Sequence, residues 1–116
     1  MVYRGQNRGK ARLSNLNKNR NKAIALLEVD ANVAAIVGLD AMVKAADVRL
    51  IHVERRLGGR LVTVVVDGSV SDVRAAVEAG AAAAEQVGSV KVCEVIANPH
   101  PEVQKFLYVD PLDDDE

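Results

Sequence analysis

A chain of 116 residues with a net charge of −1 fits one domain and leaves no room for a second hydrophobic core. Valine (20 copies) and alanine (17 copies) supply 37 of the residues while Phe, Tyr and Trp total three, so the core is aliphatic and built from small side chains, with a surplus that favours an oligomer. A single cysteine, Cys93, excludes an intramolecular disulfide and a thiolate zinc site, and no apolar run reaches the about 18 residues of a membrane span.

The charge is unevenly spread. Residues 1–22 hold seven Lys or Arg and no acid, whereas 23–116 hold eight basic and sixteen acidic residues, four of them in the closing run Asp113 to Glu116. Segment 1–22 also carries five Asn, with only Leu13 and Leu16 to suggest a turn of helix, too little apolar surface to order itself. The pattern predicts a basic, disordered N-terminal arm over 1–22 and an acidic C-terminal tail over 109–116. Asn-rich sequence stands where a secretory signal would need an apolar stretch, so a reducing cytoplasm is expected.

In chain order, Ala23 to Val29 is a short apolar run ending at Asp30, the pattern of a buried strand followed by a helix cap. Asn32 to Ala46 repeats Val33, Ile36, Val37, Leu39, Val43 and Ala46 at helical spacing. Val48 to Arg56 and Arg60 to Asp67 alternate as strands on either side of Gly58-Gly59, a hairpin signal because both positions tolerate positive φ. Ser69-Val70-Ser71-Asp72 reads as a capping box. It opens a second helix in which Val73, Val77, Ala81, Ala84 and Val87 trace one face as far as Gly88. Val90 to Ala97 is the last strand, and Glu102 to Leu107 makes a short helical end. The order βαββαβ predicts an α+β, ferredoxin-like sandwich, an antiparallel sheet with the helices on one face.

No catalytic constellation emerges. His52 lies in a strand and His100 follows a proline, neither in a metal or acid–base motif. Cys93 reads as a core or interface filler rather than a reactive thiol. Gly58-Gly59 joins strand to strand, which excludes a dinucleotide fingerprint. The small residues Ala75 to Ala84 read as a device for close approach of helix to sheet. No metal and no cofactor is expected.

Four segments, Asp40-Ala41-Met42-Val43-Lys44-Ala45-Ala46, Leu61-Val62-Thr63-Val64-Val65-Val66, Glu78-Ala79-Gly80-Ala81-Ala82-Ala83-Ala84 and Val95-Ile96-Ala97-Asn98-Pro99-His100, together resemble the bacterial microcompartment shell proteins. The resemblance spans residues 23–108 and is best to the single-domain, hexamer-forming branch. It implies a six-fold disc that tiles edge to edge with other shell proteins around enzymes in the cytoplasm, a structural rather than enzymatic role. It further implies a pore for small polar metabolites on the six-fold axis, lined by Gly58, Gly59 and Arg60 in the loop between the second and third strands. Lys44, Asn98, Pro99 and His100 would mark the hexamer edge. Two positions depart from the family pattern: Arg60 replaces a glycine beside the pore, and Ala97-Asn98-Pro99-His100 stands where Pro-Arg-Pro-His is common.

From the residues alone, Lys44 is a solvated helix-end lysine and Pro99-His100 a turn. Arg60 has two orientations open, inward to a pore or outward to an acid such as Glu54 or Asp67. The arm is read as a solvated tail or a tether to encapsulated enzymes. Its cations could neutralise phosphates, but with no aromatic beyond Tyr3 the arm lacks base-stacking platforms, which disfavours nucleic acid. The alternative function is a small-ligand or nucleic-acid-binding ferredoxin-like oligomer. An acylphosphatase reading fails because Asp30-Ala31-Asn32 puts an acid where an anion-cradling arginine is needed.

Overall fold

The computed structural model describes residues 22–108. Apart from Lys22, the expected basic arm lies outside the described residues, as does the expected tail over 109–116. Four strands and three helices follow one another as β1 (Ala23–Asp30), α1 (Asn32–Ala45), β2 (Arg49–Arg56), β3 (Leu61–Gly68), α2 (Val70–Glu85), β4 (Ser89–Ile96) and α3 (Pro101–Tyr108). The sheet order is β2-β3-β1-β4 with every neighbouring pair antiparallel. This is the α+β, ferredoxin-like arrangement expected, with β3 inserted between β1 and β2.

Period-two alternation on the central strand divides the core. Ala23, Ala25, Leu27 and Val29 point into the main core, joined there by Val62, Val64 and Val66 of β3, Ala34, Ala35 and Met42 of α1, and Val73, Ala76, Val77 and Ala84 of α2. Ile24 and Leu26 point the other way, and with Val65 and Ile51 they receive Leu107 and Tyr108 of α3. The expectation that the helices share one face therefore holds for α1 and α2, while α3 covers part of the opposite face.

Three local readings change. Asp30 ends β1 and does not cap α1; the cap position is Ala31, whose side chain makes no capping bond, and its carbonyl accepts the amide of Ala35 at 3.0 Å. A bulge at Ile51, where Leu50 opposes Val66 but His52 opposes Val65, breaks the alternation of β2. An extra residue reverses the side from that point, so Arg49, His52 and Glu54 share the α3 side while Val53 joins the main core. On α1 the buried positions are Ala34, Ala35, Gly38 and Met42, and the large Val33 and Ile36 stand 63% and 68% exposed.

The reason lies in the helix pair. A Cβ at Gly80 would overlap Met42 Cγ and lie 3.0 Å from the Gly38 carbonyl, and a Cβ at Gly38 would lie 2.9 Å from Leu27 Cδ2 and 3.3 Å from the Gly80 carbonyl. The small residues of α2 thus bring helix against helix at a glycine-on-glycine crossing. Only small side chains fit there, so Val33 and Ile36 are turned outward, while Leu39 packs at the margin of the core. At its start α2 is capped as expected: Ser69 Oγ accepts the Asp72 amide at 3.1 Å and donates to Asp72 Oδ2 at 2.8 Å.

Gly80→Ala gains about 1 kcal/mol of helix propensity but overpacks the crossing, at a cost of about 1–3 kcal/mol. Urea unfolding is expected to show net destabilisation, with a larger loss for Gly80→Val; an unchanged midpoint would show that the crossing gives way freely.

Candidate functional site

The seven residues singled out by sequence fall into two groups at opposite ends of the sheet. Val29 opposes Val62 and Ala23 opposes Gly68, so the β2–β3 turn sits beyond the C-terminal end of β1. The end of α1 and the segment after β4 lie at the other end.

At the turn end, Gly58 (φ 67°, ψ 26°) and Gly59 (φ 90°) occupy the two central positions of a tight hairpin turn closed by the Arg60 amide donating to the Leu57 carbonyl at 3.3 Å. Positive φ at both positions is the type I′ requirement, and it explains the glycine pair. Leu57 also has a positive φ of 54° while standing 68% exposed. A large apolar residue in the left-handed region at a turn tip is strained, and sequence reasoning left it out of the site. Its only signal was an apolar side chain beside a glycine pair. A Cβ at Gly59 would meet Asn32 Nδ2 at 3.0 Å, so the turn packs directly on the start of α1.

Arg60 is exposed and has no ion-pair partner among the described residues. The two acids considered for it are otherwise engaged, Glu54 with His52 Nε2 at 3.1 Å and Asp67 with Arg49. Arg55 and Arg56, also exposed, flank the turn. The tip therefore carries three guanidinium groups, none of them bound to a carboxylate among the described residues.

At the other end Lys44 projects from the last turn of α1, its side chain 73% exposed and its Nζ 2.8 Å from Asp40 Oδ2. Such an exposed i,i+4 pair contributes about 0.3–0.5 kcal/mol, which leaves the ammonium available to other acceptors. Asn98 and His100 are exposed and Pro99 is buried. His100 also caps α3, since its carbonyl accepts the amides of Val103 and Gln104 and its Nδ1 accepts the amide of Glu102 at 3.1 Å. Gln104 Nε2 donates to the Pro99 carbonyl at 3.1 Å, which ties the segment to the helix.

A buried carboxylate holds α3 to the sheet. Asp67, 1% exposed, accepts Arg49 Nε at 3.1 Å and Nη2 at 3.2 Å, and the Tyr108 hydroxyl donates to its Oδ2 at 2.7 Å. Burial, then the hydrogen bond to Asp67 and its charge, raises the Tyr108 phenol well above its ordinary value near 10. Cys93 is exposed in the protomer, so it is no core filler. Partial burial and the neighbouring Glu94 and Glu78 raise its pKa, which keeps the thiol protonated and unreactive. Among the described residues no group of three His, Cys, Asp or Glu could hold a metal ion, and no helix is long and apolar enough to cross a membrane.

Because the folded-state value of Tyr108 is raised, the stability it represents is complete below about pH 10 and is lost as pH climbs above that value. Tyr108→Phe should cost about 1.5–3 kcal/mol at pH 7, the range for a hydrogen bond to a charged group, and should flatten the decline above pH 10. Denaturant titrations of both proteins across that window check this, and equal slopes would contradict it.

Residues 23–99 match the family model of the BMC domain. The bacterial microcompartment shell protein PduA of Citrobacter freundii is 48% identical over 88 residues, covering 76% of this chain and 94% of the relative. The shell protein EutM of Salmonella typhimurium is 42% identical over 86 residues, covering 74% of this chain and 88% of the relative. A carboxysome shell protein of Hydrogenovibrio crunogenus is 48% identical over 86 residues, covering 73% of this chain and 88% of the relative. Among solved structures, a microcompartment protein from Desulfitobacterium hafniense superposes with a TM-score of 0.66 at 32% identity, over 75% of this chain and 47% of that one.

Proposed function

The chain belongs to the BMC domain family, and from that premise we propose that it is a structural shell protein of a bacterial microcompartment, not an enzyme. Cyclic homohexamers tile into facets with other shell proteins, within the cytoplasm, around enzymes that the arm over 1–22 can contact. Gly58, Gly59 and Arg60 line a central pore for small polar metabolites, and Lys44, Asn98, Pro99 and His100 lie along the tile edge.

The observation that carries this reading is the separation of the two residue groups: the glycine turn with its exposed arginines projects from one end of the sheet, and the exposed Lys44 and Asn98 stand at the other. A subunit in a ring needs such polarity, one end at the axis and one at the rim. The shell proteins PduA and EutM, 48% and 42% identical to this chain, point the same way. The exposed Val33 and Ile36 on α1 supply apolar surface for copies to bury against one another.

Native mass spectrometry is expected to give six times the 12.4 kDa protomer mass; a trimer would favour a small-ligand module instead. Lys44→Ala should leave that mass unchanged and weaken sheet formation seen by electron microscopy, because an exposed lysine contributes little to folding. Equal sheets in the variant would remove Lys44 from the edge.

Six copies of Arg60 around one axis would set up a cationic ring, which favours anionic over apolar solutes. Arg60→Glu should invert the ion preference of reconstituted discs. An unchanged preference would leave Gly58 and Gly59 as the pore lining and place Arg60 outside it.

A further inference from the structure

The face of the sheet opposite α1 and α2 is only partly covered. Leu107 and Tyr108 of α3 pack on Ile24, Val65 and Ile51, and beside them opens a cleft of about 270 Å³ whose walls include Leu26, Glu28, Glu54, Val92 and Phe106. Small-molecule sites run to about 300–1,000 Å³, so this cleft suits one or two apolar side chains better than a free metabolite. Glu28 accepts the Thr63 hydroxyl at 3.1 Å and has no cation partner among the described residues.

A track leads to the cleft from the point where the chain enters β1. On β4, Ile96 opposes Ile24, Glu94 opposes Leu26 and Val92 opposes Glu28, a row of two apolar residues with an acid between them, all on the α3 side. Ile96 and Val92 are 40% and 42% exposed, because α3 lies toward β2 and leaves the β4 side open. We propose that the chain's own N-terminal arm runs along this track and seats Leu13 and Leu16 in the cleft, with its cations against Glu94 and Glu28.

Reach, charge and composition select this occupant. Leu16 stands six residues before Lys22, about 20 Å of extended chain, while Val92 lies four residues from Ile96, about 13 Å along the strand. The arm brings seven cations and no acid. The tail over 109–116 leaves from the same end of the sheet, since Tyr108 bonds Asp67 and Asp67 opposes Ile24, but its five acids are repelled by the same carboxylates. Arg56, the arginine of the cleft wall, sits at the turn end, farthest from where the arm enters. Docking needs only the protomer fold and so goes beyond the shell reading; it sets the resting state from which the arm would have to be displaced by any cargo.

The test uses the full chain with a nitroxide attached through Asn17→Cys in a Cys93→Ala background and isotope-labelled methyl groups. Methyl signals of Leu26, Val92, Ile96 and Leu107 should lose most of their intensity, and those of Leu39 and Val43 on the helix layer should keep theirs. Intensity should return at about 1 M salt, where the Debye length is about 3 Å, or with Leu13→Ser and Leu16→Ser together. Uniform broadening, none, or broadening that survives the two leucine substitutions overturns the proposal. So does broadening of equal size when nitroxide and isotope are carried on different chains, which would assign the cleft to a neighbour's arm. Broadening limited to Ile96 would place the arm on the track but outside the cleft and overturn the seating of the leucines.

Discussion

The close contact of α1 and α2 at Gly38 and Gly80 governs the rest of the molecule. With no side chain on either residue, the helices pack backbone to backbone over one face of the sheet, and Met42 and Leu27 fill the space that any Cβ would need. Because interiors are packed as densely as crystals, this contact fixes both helices along their length. The start of α1 then meets the glycine turn through Asn32, and its end carries Lys44 to the far side. A second close approach repeats the constraint at the turn end, where a Cβ on Gly88 would overlap the Asp30 carbonyl.

The same geometry explains what lies outside. A helix that must present alanine and glycine to its neighbour has nowhere inside for Val33 and Ile36. In a lone protomer such exposure is a liability; in a ring of copies it is contact surface. The fold thus exchanges side-chain bulk in its core for apolar area at its periphery, area that the proposed ring would cover.

Much of this was legible in the sequence, for reasons that are local. Alternation marked the strands, the paired glycines marked a turn that demands positive φ twice, and Ser69 with Asp72 marked the start of α2. What escaped was non-local or concerned a single residue. The bulge at Ile51 leaves no trace in the sequence, yet it reverses the side of every later residue in β2 and brings His52 and Glu54 beneath α3. The hydropathic pattern of α1 favoured Val33 and Ile36 as core because it scores size and not the fit against another helix. The cluster of Arg49, Asp67 and Tyr108 joins residues 18 and 41 positions apart, which no motif scan connects, so the side taken by α3 was hidden too. The site residues themselves were placed by resemblance, and chain periodicity alone would have left Lys44 as a solvated lysine and Pro99-His100 as a turn. To these the structure adds the capping of α3 by His100.

The central claim is that the glycine turn faces a symmetry axis and Lys44 faces a rim. A cryo-electron microscopy reconstruction of the assembled protein tests it directly. The account requires six copies in a closed ring, with residues 57–60 of each around the central opening and Lys44 and residues 98–100 on the outer perimeter. A ring with the turns on its outside, or with Lys44 buried between subunits around the axis, would contradict it.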